Sequence, residues 1–230
     1  MKMSEKLVPV DAPEMPYEEY LSVVGSLLHI CNVTRSDCMF AVGFLARHGS
    51  RPSLKHYEAA KNVVAFLYST RHRCIQYVRE ASMAHGRVPY ASHDLANRLR
   101  MFVDADFAGT VASARSTSGR VAFMNQGVIS AKSQLQKLVA LSTSEAETIA
   151  LTELIKDALS LKLLCEELGL RPESELVPIH EDNVSCREMA MNDKAYDKAR
   201  HFKTRVAFNQ HHCRGEEKTI DLLQTPTDLM

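Results

Sequence analysis

Apolar residues recur at helical spacing through the first third of the chain, and strand-like runs alternate with helical ones after it. Residues 17–31 and 36–47 are apolar and helix-like, divided by the polar stretch 32–35. A third helix is predicted from 54 to about 69: Pro52 suits an element start, and Ser53 can cap the free amides. Ala59, Ala60, Val63, Val64 and Leu67 give it an apolar face. Residues 80–97 mix Ala, Ser, His, Gly and Pro without period, which reads as a linker and domain boundary. Residues 100–106 then read as a strand. The runs 120–124 and 128–132 read as two more, joined by a hairpin turn at Asn125-Gln126-Gly127. A long helix follows over 145–168, stopped by Gly169 at a C-cap position. A strand at 176–181, bounded by Pro172 and Asp182, a helix at 184–191, a basic helix at 198–213 and a strand at 219–223 complete the pattern. Strands first, then alternating helix and strand, predict an α/β fold with helices packed on a mixed sheet.

Composition narrows this picture. With 45% apolar residues the chain can bury a sizeable core. The formal net charge is zero, but residues 1–100 hold 13 Lys/Arg against 9 Asp/Glu, and residues 101–230 hold 15 against 19. The acidic part therefore needs a cation or a basic neighbour to approach phosphates. No apolar run reaches the ~18 residues of a membrane span, and the first twenty residues lack the apolar core of a signal peptide. The expectation is an intracellular, cytoplasmic protein with no membrane partner. The six cysteines include no CxxC pair, which suggests free thiols in a reducing compartment.

Three carboxylates lie at element boundaries. Asp104 and Asp106, two apart on one strand, share a face; either the strand end is exposed and solvated, or it holds a metal. The long helix has a seam at Leu151, Leu154, Ala158, Leu161, Cys165 and Leu168, and one further step back reaches Glu147, while Glu145 points elsewhere. Glu147 is then either an inward-facing acid or the closing residue of a capping box begun by Ser144. Asp182, between a strand and a helix, is either an N-cap or a ligand. Ligands of α/β folds gather at the carboxyl ends of strands. A cluster there would need divalent cations, and oxygen donors without paired Cys or His favour Mg²⁺ or Mn²⁺ over Zn²⁺. His201, His211, His212 and Cys213 make a weaker metal candidate, because adjacent His211 and His212 diverge on a helix. Lys198, Arg200, Lys203 and Arg205 could touch phosphates or form a solvated helix face.

These residues resemble a family. Phe102-Val103-Asp104-Ala105-Asp106-Phe107-Ala108-Gly109 is similar to the YSDADWAG segment of copia-type retrotransposon RNase H. Ser116-Thr117-Ser118-Gly119 matches its STSG, and the segment from Val139 to Glu147 resembles its VALSSTEAE. Glu181-Asp182-Asn183 sits where the family has CDN. Upstream, the segments from Val24 to Leu28 and from Thr34 to Asp37 resemble the VGSLLY and TRPD segments that follow the polymerase catalytic region.

The resemblance implies an RNase H-like five-stranded mixed sheet flanked by helices and preceded by a small helical segment. It divides the chain into residues 1–80, like the thumb or connection region of reverse transcriptase, a linker over 81–98, and an RNase H-like domain over 99–230. It implies cleavage of the RNA strand of RNA–DNA hybrids, with two Mg²⁺ or Mn²⁺ ions about 4 Å apart and no small-molecule cofactor. Asp104, Glu147 and Asp182 would be the catalytic metal ligands; Ser116, Ser118 and Asn183 are candidate contacts to the hybrid backbone. The polymerase part of the same polyprotein would be a partner, though nothing here resembles the polymerase YVDD motif. The family's site has four acids. Lys203 stands where the family's KHIDIRYH segment has its Asp, and the chain stops at Asp228-Leu229-Met230, before the late LADILTK helix. The fourth acid is therefore expected to be missing and hydrolysis impaired. The alternative is an inactive relic that binds nucleic acid or protein.

Overall fold

The computed structural model describes residues 17–77, 97–110, 114–170, 174–192 and 202–226. They divide into two compact units, one built on the N-terminal helices and one on the sheet.

The helical unit comprises α1 (Tyr17–Val33), a 3₁₀ turn (Ser36–Cys38), α2 (Met39–Ala46) and α3 (Leu54–Ser69). Tyr20, Val24, Leu27 and Cys31 fall on one stripe of α1 and pack with Val42, Leu45, Ala60 and Val63. The Tyr20 hydroxyl, buried with its ring, donates to the Leu45 carbonyl at 2.8 Å, so its own polar atom is satisfied. Ser53 caps α3 as expected: its Oγ accepts from the His56 N–H, and His56 Nδ1 accepts from the Ser53 N–H at 3.1 Å. The inward stripe of α3 is His56, Ala60 and Val63, whereas Val64 is exposed. The predicted apolar face is thus corrected by one position. The capping box draws a polar histidine inward, and Val64 is left outside.

The sheet unit contains β1 (Leu99–Thr110), β2 (Arg115–Met124), β3 (Gly127–Leu135), α4 (Thr143–Glu167), β4 (Val177–Glu181), α5 (Val184–Met191), α6 (Lys203–Cys213) and β5 (Ile220–Gln224). The strand order is β3-β2-β1-β4-β5; β1 and β2 are antiparallel, and β1, β4 and β5 are parallel. This is the expected five-stranded mixed sheet with flanking helices. Along β1, Leu99, Met101, Val103 and Ala105 are buried, and they share a core with Ala150, Leu151, Leu154, Val177 and Ile179. Leu151, Leu154, Ala158 and Cys165 are buried and Leu161 partly so, as the predicted α4 seam requires, but the seam ends before the exposed Leu168. Arg120 on β2 pairs with Asp157 on α4 at 3.1 Å.

Three boundaries differ from the sequence pattern. β1 and β2 extend toward each other beyond the apolar runs, because polar residues continue the ladder: Asp104 faces Gly119, Ala105 faces Ser118, and Asp106 faces Thr117. The register then shifts between Asp106 and Thr110, where Ala108 adopts φ 51°. The β2–β3 turn is formed by Asn125 (φ 50°) and Gln126 (φ 67°), as a two-residue primed turn requires, and Gly127 already belongs to β3. α4 begins at Thr143, capped by Ser142 Oγ, which accepts from the Glu145 N–H at 3.2 Å. Its other end closes as predicted: Gly169 at φ 66° donates to the Glu166 carbonyl, and the Leu170 N–H donates to Cys165. The predicted linker up to residue 96, Pro172, Lys198, Arg200, His201 and Asp228 lie outside the described residues. All six cysteines are free, and no described helix is long and apolar enough to cross a membrane.

Candidate metal centre

The parallel pairing of β1 with β4 builds the site. Met101 faces Ile179 and Phe102 faces His180. Carried two residues further, that register sets Asp104 level with Asp182, just past the carboxyl end of β4. α4 starts near the same sheet end and brings in Glu147 from its inward seam. One carboxylate oxygen from each of Asp104, Glu147 and Asp182 lies within 4.8 Å of the others. Asp104 is exposed, Asp182 half-buried and Glu147 only 3% exposed, so the cluster runs from solvent into the core.

Burial and mutual repulsion disfavour ionisation. Desolvation, then the Asp182 and Asp106 charges, raise the Asp104 carboxyl above its ordinary range, with the Ala105 backbone opposing. Glu147 is pushed up to about 9, by burial first and then by Glu181, Asp104 and Asp182. Its Oε2 is buried without a hydrogen-bond partner among the described residues. Oxygen donors that repel one another, with a buried oxygen left over, suit a hard divalent cation.

Neighbours take the capping roles that the sequence left open. Ser142, not Ser144, caps α4, and Glu145 Oε2 accepts from the Leu141 N–H at 2.8 Å. Glu147 is thereby released from the helix start. At α5 the N-cap is Asn183, whose Oδ1 accepts from the Cys186 N–H at 2.9 Å, rather than Asp182. The Asp182 carbonyl accepts from Gln224 Nε2 at 2.6 Å. Asp106 lies on the Asp104 face of β1 and packs against Gly109, where any Cβ would overlap its carboxylate.

Ser116 and Ser118 are held inside the fold. Both are buried; Ser116 Oγ accepts from the Ala108 N–H at 3.1 Å, and Ser118 Oγ accepts from Gln136 Nε2 at 2.9 Å. They fasten the strand ends, and neither hydroxyl faces solvent for a nucleic-acid backbone. His211 and His212 stand ring to ring, His212 Nδ1 meets Thr219 Oγ1 at 3.0 Å, and Cys213 is buried, so this group does not converge. Glu181 was missed. It is wholly buried at the end of β4, pushed up to about 8 by desolvation first, with Asp182 and Asp104 adding to the rise. The signal was present: Val177, Ile179 and Glu181 share one face of β4, so the acid occupies a core position.

No family model matches the chain. It is 33% identical to the retrovirus-related Pol polyprotein from transposon TNT 1-94 of Nicotiana tabacum, over all of this chain and 16% of that polyprotein. It is 28% identical to the corresponding polyprotein from transposon RE2 of Arabidopsis thaliana, over 94% of this chain and 14% of that one. The chain thus spans only a small part of these relatives. A relative named secreted RxLR effector protein 161, from Plasmopara viticola, is 37% identical over 62% of this chain and 90% of its own length; secretion and an effector role belong to that protein's name. Among solved structures, LC11-RNase H1 isolated from compost has a TM-score of 0.39 at 16% identity, covering 57% of this chain and 86% of that one.

Proposed function

Because this chain belongs to the copia-type retrotransposon polyproteins, we propose that residues 99–230 form its RNase H-like domain and hydrolyse the RNA strand of RNA–DNA hybrids. Residues 1–80 are then the end of the polymerase part, joined through 81–98, and the intact polyprotein supplies the polymerase as partner. The observation that carries this reading is the convergence of Asp104 within β1, Glu147 near the start of α4 and Asp182 just past the carboxyl end of β4, with one carboxylate oxygen of each within 4.8 Å of the others.

In this reading Asp104, Glu147 and Asp182 hold Mg²⁺ or Mn²⁺. When bound, such ions supply an activated water and charge stabilisation for a leaving phosphodiester oxygen. Asp104, the exposed member, faces the side from which a hybrid enters. Asp182 follows a strand end and its backbone is tied by Gln224, so it is oriented without being buried. Glu147 keeps its proton at neutral pH until a cation displaces it, so cation binding releases a proton and strengthens as pH rises. The acids would repel the phosphates of a hybrid, and the cations reverse that sign. The setting proposed is intracellular, with the polymerase.

The test is incubation of the purified full chain with a labelled RNA–DNA hybrid and Mn²⁺. Cleavage that disappears in Asp104→Asn supports the proposal; a wild type no more active than Asp104→Asn overturns it. A second reading, hybrid binding without cleavage, is favoured by Lys203 at the start of α6, where the resemblance calls for an acid. Salt-sensitive hybrid retention without cleavage would select it.

A further inference from the structure

Glu181 is a carboxylate that the proposed centre does not yet use. It ends β4 on the same face as Val177 and Ile179, with no solvent exposure. A carboxylate in such a place is costly unless something compensates its charge. One oxygen is accounted for: Oε1 accepts from the Asn183 N–H at 3.0 Å. Oε2 has no hydrogen-bond partner among the described residues, and the same holds for Oε2 of Glu147. The charged groups that act on Glu181 from neighbouring elements are acids. Asp182 follows it in the chain, and the charge of Asp104 reaches it from β1. Glu147, on α4, feels the charge of Glu181 ahead of those of Asp104 and Asp182. The remaining polar neighbour is the buried Cys186 of α5. Two buried carboxyls, each with an orphaned oxygen, therefore accompany the cluster: Glu147 is one of its three members, and Glu181 is the chain neighbour of Asp182.

We propose that Glu181 is a positioning residue of the metal centre, set beside Asp182 and adding the negative charge that holds a divalent cation at Asp104, Glu147 and Asp182. This rests on the metal-binding reading above. Glu181 lies outside the trio whose oxygens all fall within 4.8 Å, so it acts from beside Asp182 rather than as one of the close ligands. Outer groups of this kind orient the ligands and tune their basicity. The alternative is a purely structural role, in which the Asn183 N–H interaction is all that Glu181 provides.

Mn²⁺ alone, titrated into the full chain and followed by electron paramagnetic resonance, separates these roles. Glu181→Gln keeps an oxygen for the Asn183 N–H and removes the charge. It is expected to weaken Mn²⁺ binding by about tenfold or more, the range typical of such outer groups. Metal-free Glu181→Gln should unfold at the same temperature as wild type or higher, since the Asn183 N–H contact is kept and a buried acid is removed. Glu181→Asp restores the charge and should recover part of the affinity. If Glu181→Gln binds Mn²⁺ like wild type while Asp104→Asn does not, the centre stands and the role of Glu181 falls. A lowered unfolding temperature with unchanged Mn²⁺ affinity would likewise assign it a structural role. If wild type takes up no Mn²⁺, both readings fall.

Discussion

Replacing Glu147 by Gln should stabilise the metal-free protein, although Glu147 is buried and its substitution removes a carboxylate from the proposed centre. In the folded chain the Glu147 carboxyl is pushed from its ordinary 4.5 up to about 9. Between those values the folded state holds a proton that the unfolded state has released. A group raised in this way contributes its full stability below about pH 4.5 and loses it as pH climbs toward 9. Near pH 7 the loss spans about 2.5 pH units, or about 3 kcal/mol at about 1.4 kcal/mol per unit. Gln does not titrate, so the stability difference between variant and wild type should be smallest near pH 4.5 and grow by roughly 1.4 kcal/mol per pH unit above it. Urea unfolding of both proteins in a chelator, across that pH range, measures the difference directly. Adding Mn²⁺ should then stabilise wild type and leave the variant behind, because ions that bind only the folded state add stability. A difference that stays flat with pH, or a variant progressively weaker than wild type as pH rises, would refute the reasoning.

Other consequences can be read by the same unfolding assay. Gly109→Ala places a methyl against the exposed Asp106 carboxylate, a side-chain end that can swing aside, and should change stability by no more than about 0.5 kcal/mol; a loss of several kcal/mol would mean the carboxylate is held in place. Asp157→Asn leaves the buried Arg120 without its ion-pair partner on α4, and a loss of about 3 kcal/mol is expected. Arg120→Met, which removes the buried charge, should be milder, and the reverse order would contradict the pairing argument. Asn183→Ala removes the α5 cap for about 1 kcal/mol, with Mn²⁺ affinity retained; lost affinity would instead link the cap to the centre.

The α4 seam was legible because its period runs unbroken from Leu168 back to Glu147, and an acid on an apolar stripe is conspicuous. Glu181 carried the same kind of signal in a five-residue strand, where one buried acid at the end reads as the start of a loop. The lengths of β1 and β2 were illegible for another reason. The sequence pattern carries β1 only to Asp106 and starts β2 only at Arg120, because the Ala108 to Thr110 and Ser116 to Gly119 runs are small or polar and look like loop; the cross-strand register reveals the rest of the ladder. The burial of Ser116 and Ser118 was illegible for the same reason: within a polar motif, nothing in the sequence marks a hydroxyl as an internal fastening. The caps at Ser142 and Asn183 are local choices between neighbouring polar residues, and the folded backbone decides them.

The central position of β1 has a consequence for how the sheet is made. Its antiparallel partner β2 follows closely in sequence, whereas its parallel partner β4 arrives only after α4. Local pairings form quickly and distant ones slowly. Until β4 docks, β1 presents an open edge carrying Leu99, Met101 and Val103, the kind of edge that recruits other chains. Pulse-labelling hydrogen exchange during refolding should find β1–β2 amides protected before those of β4. Chains interrupted after α4 should aggregate through that unpaired edge.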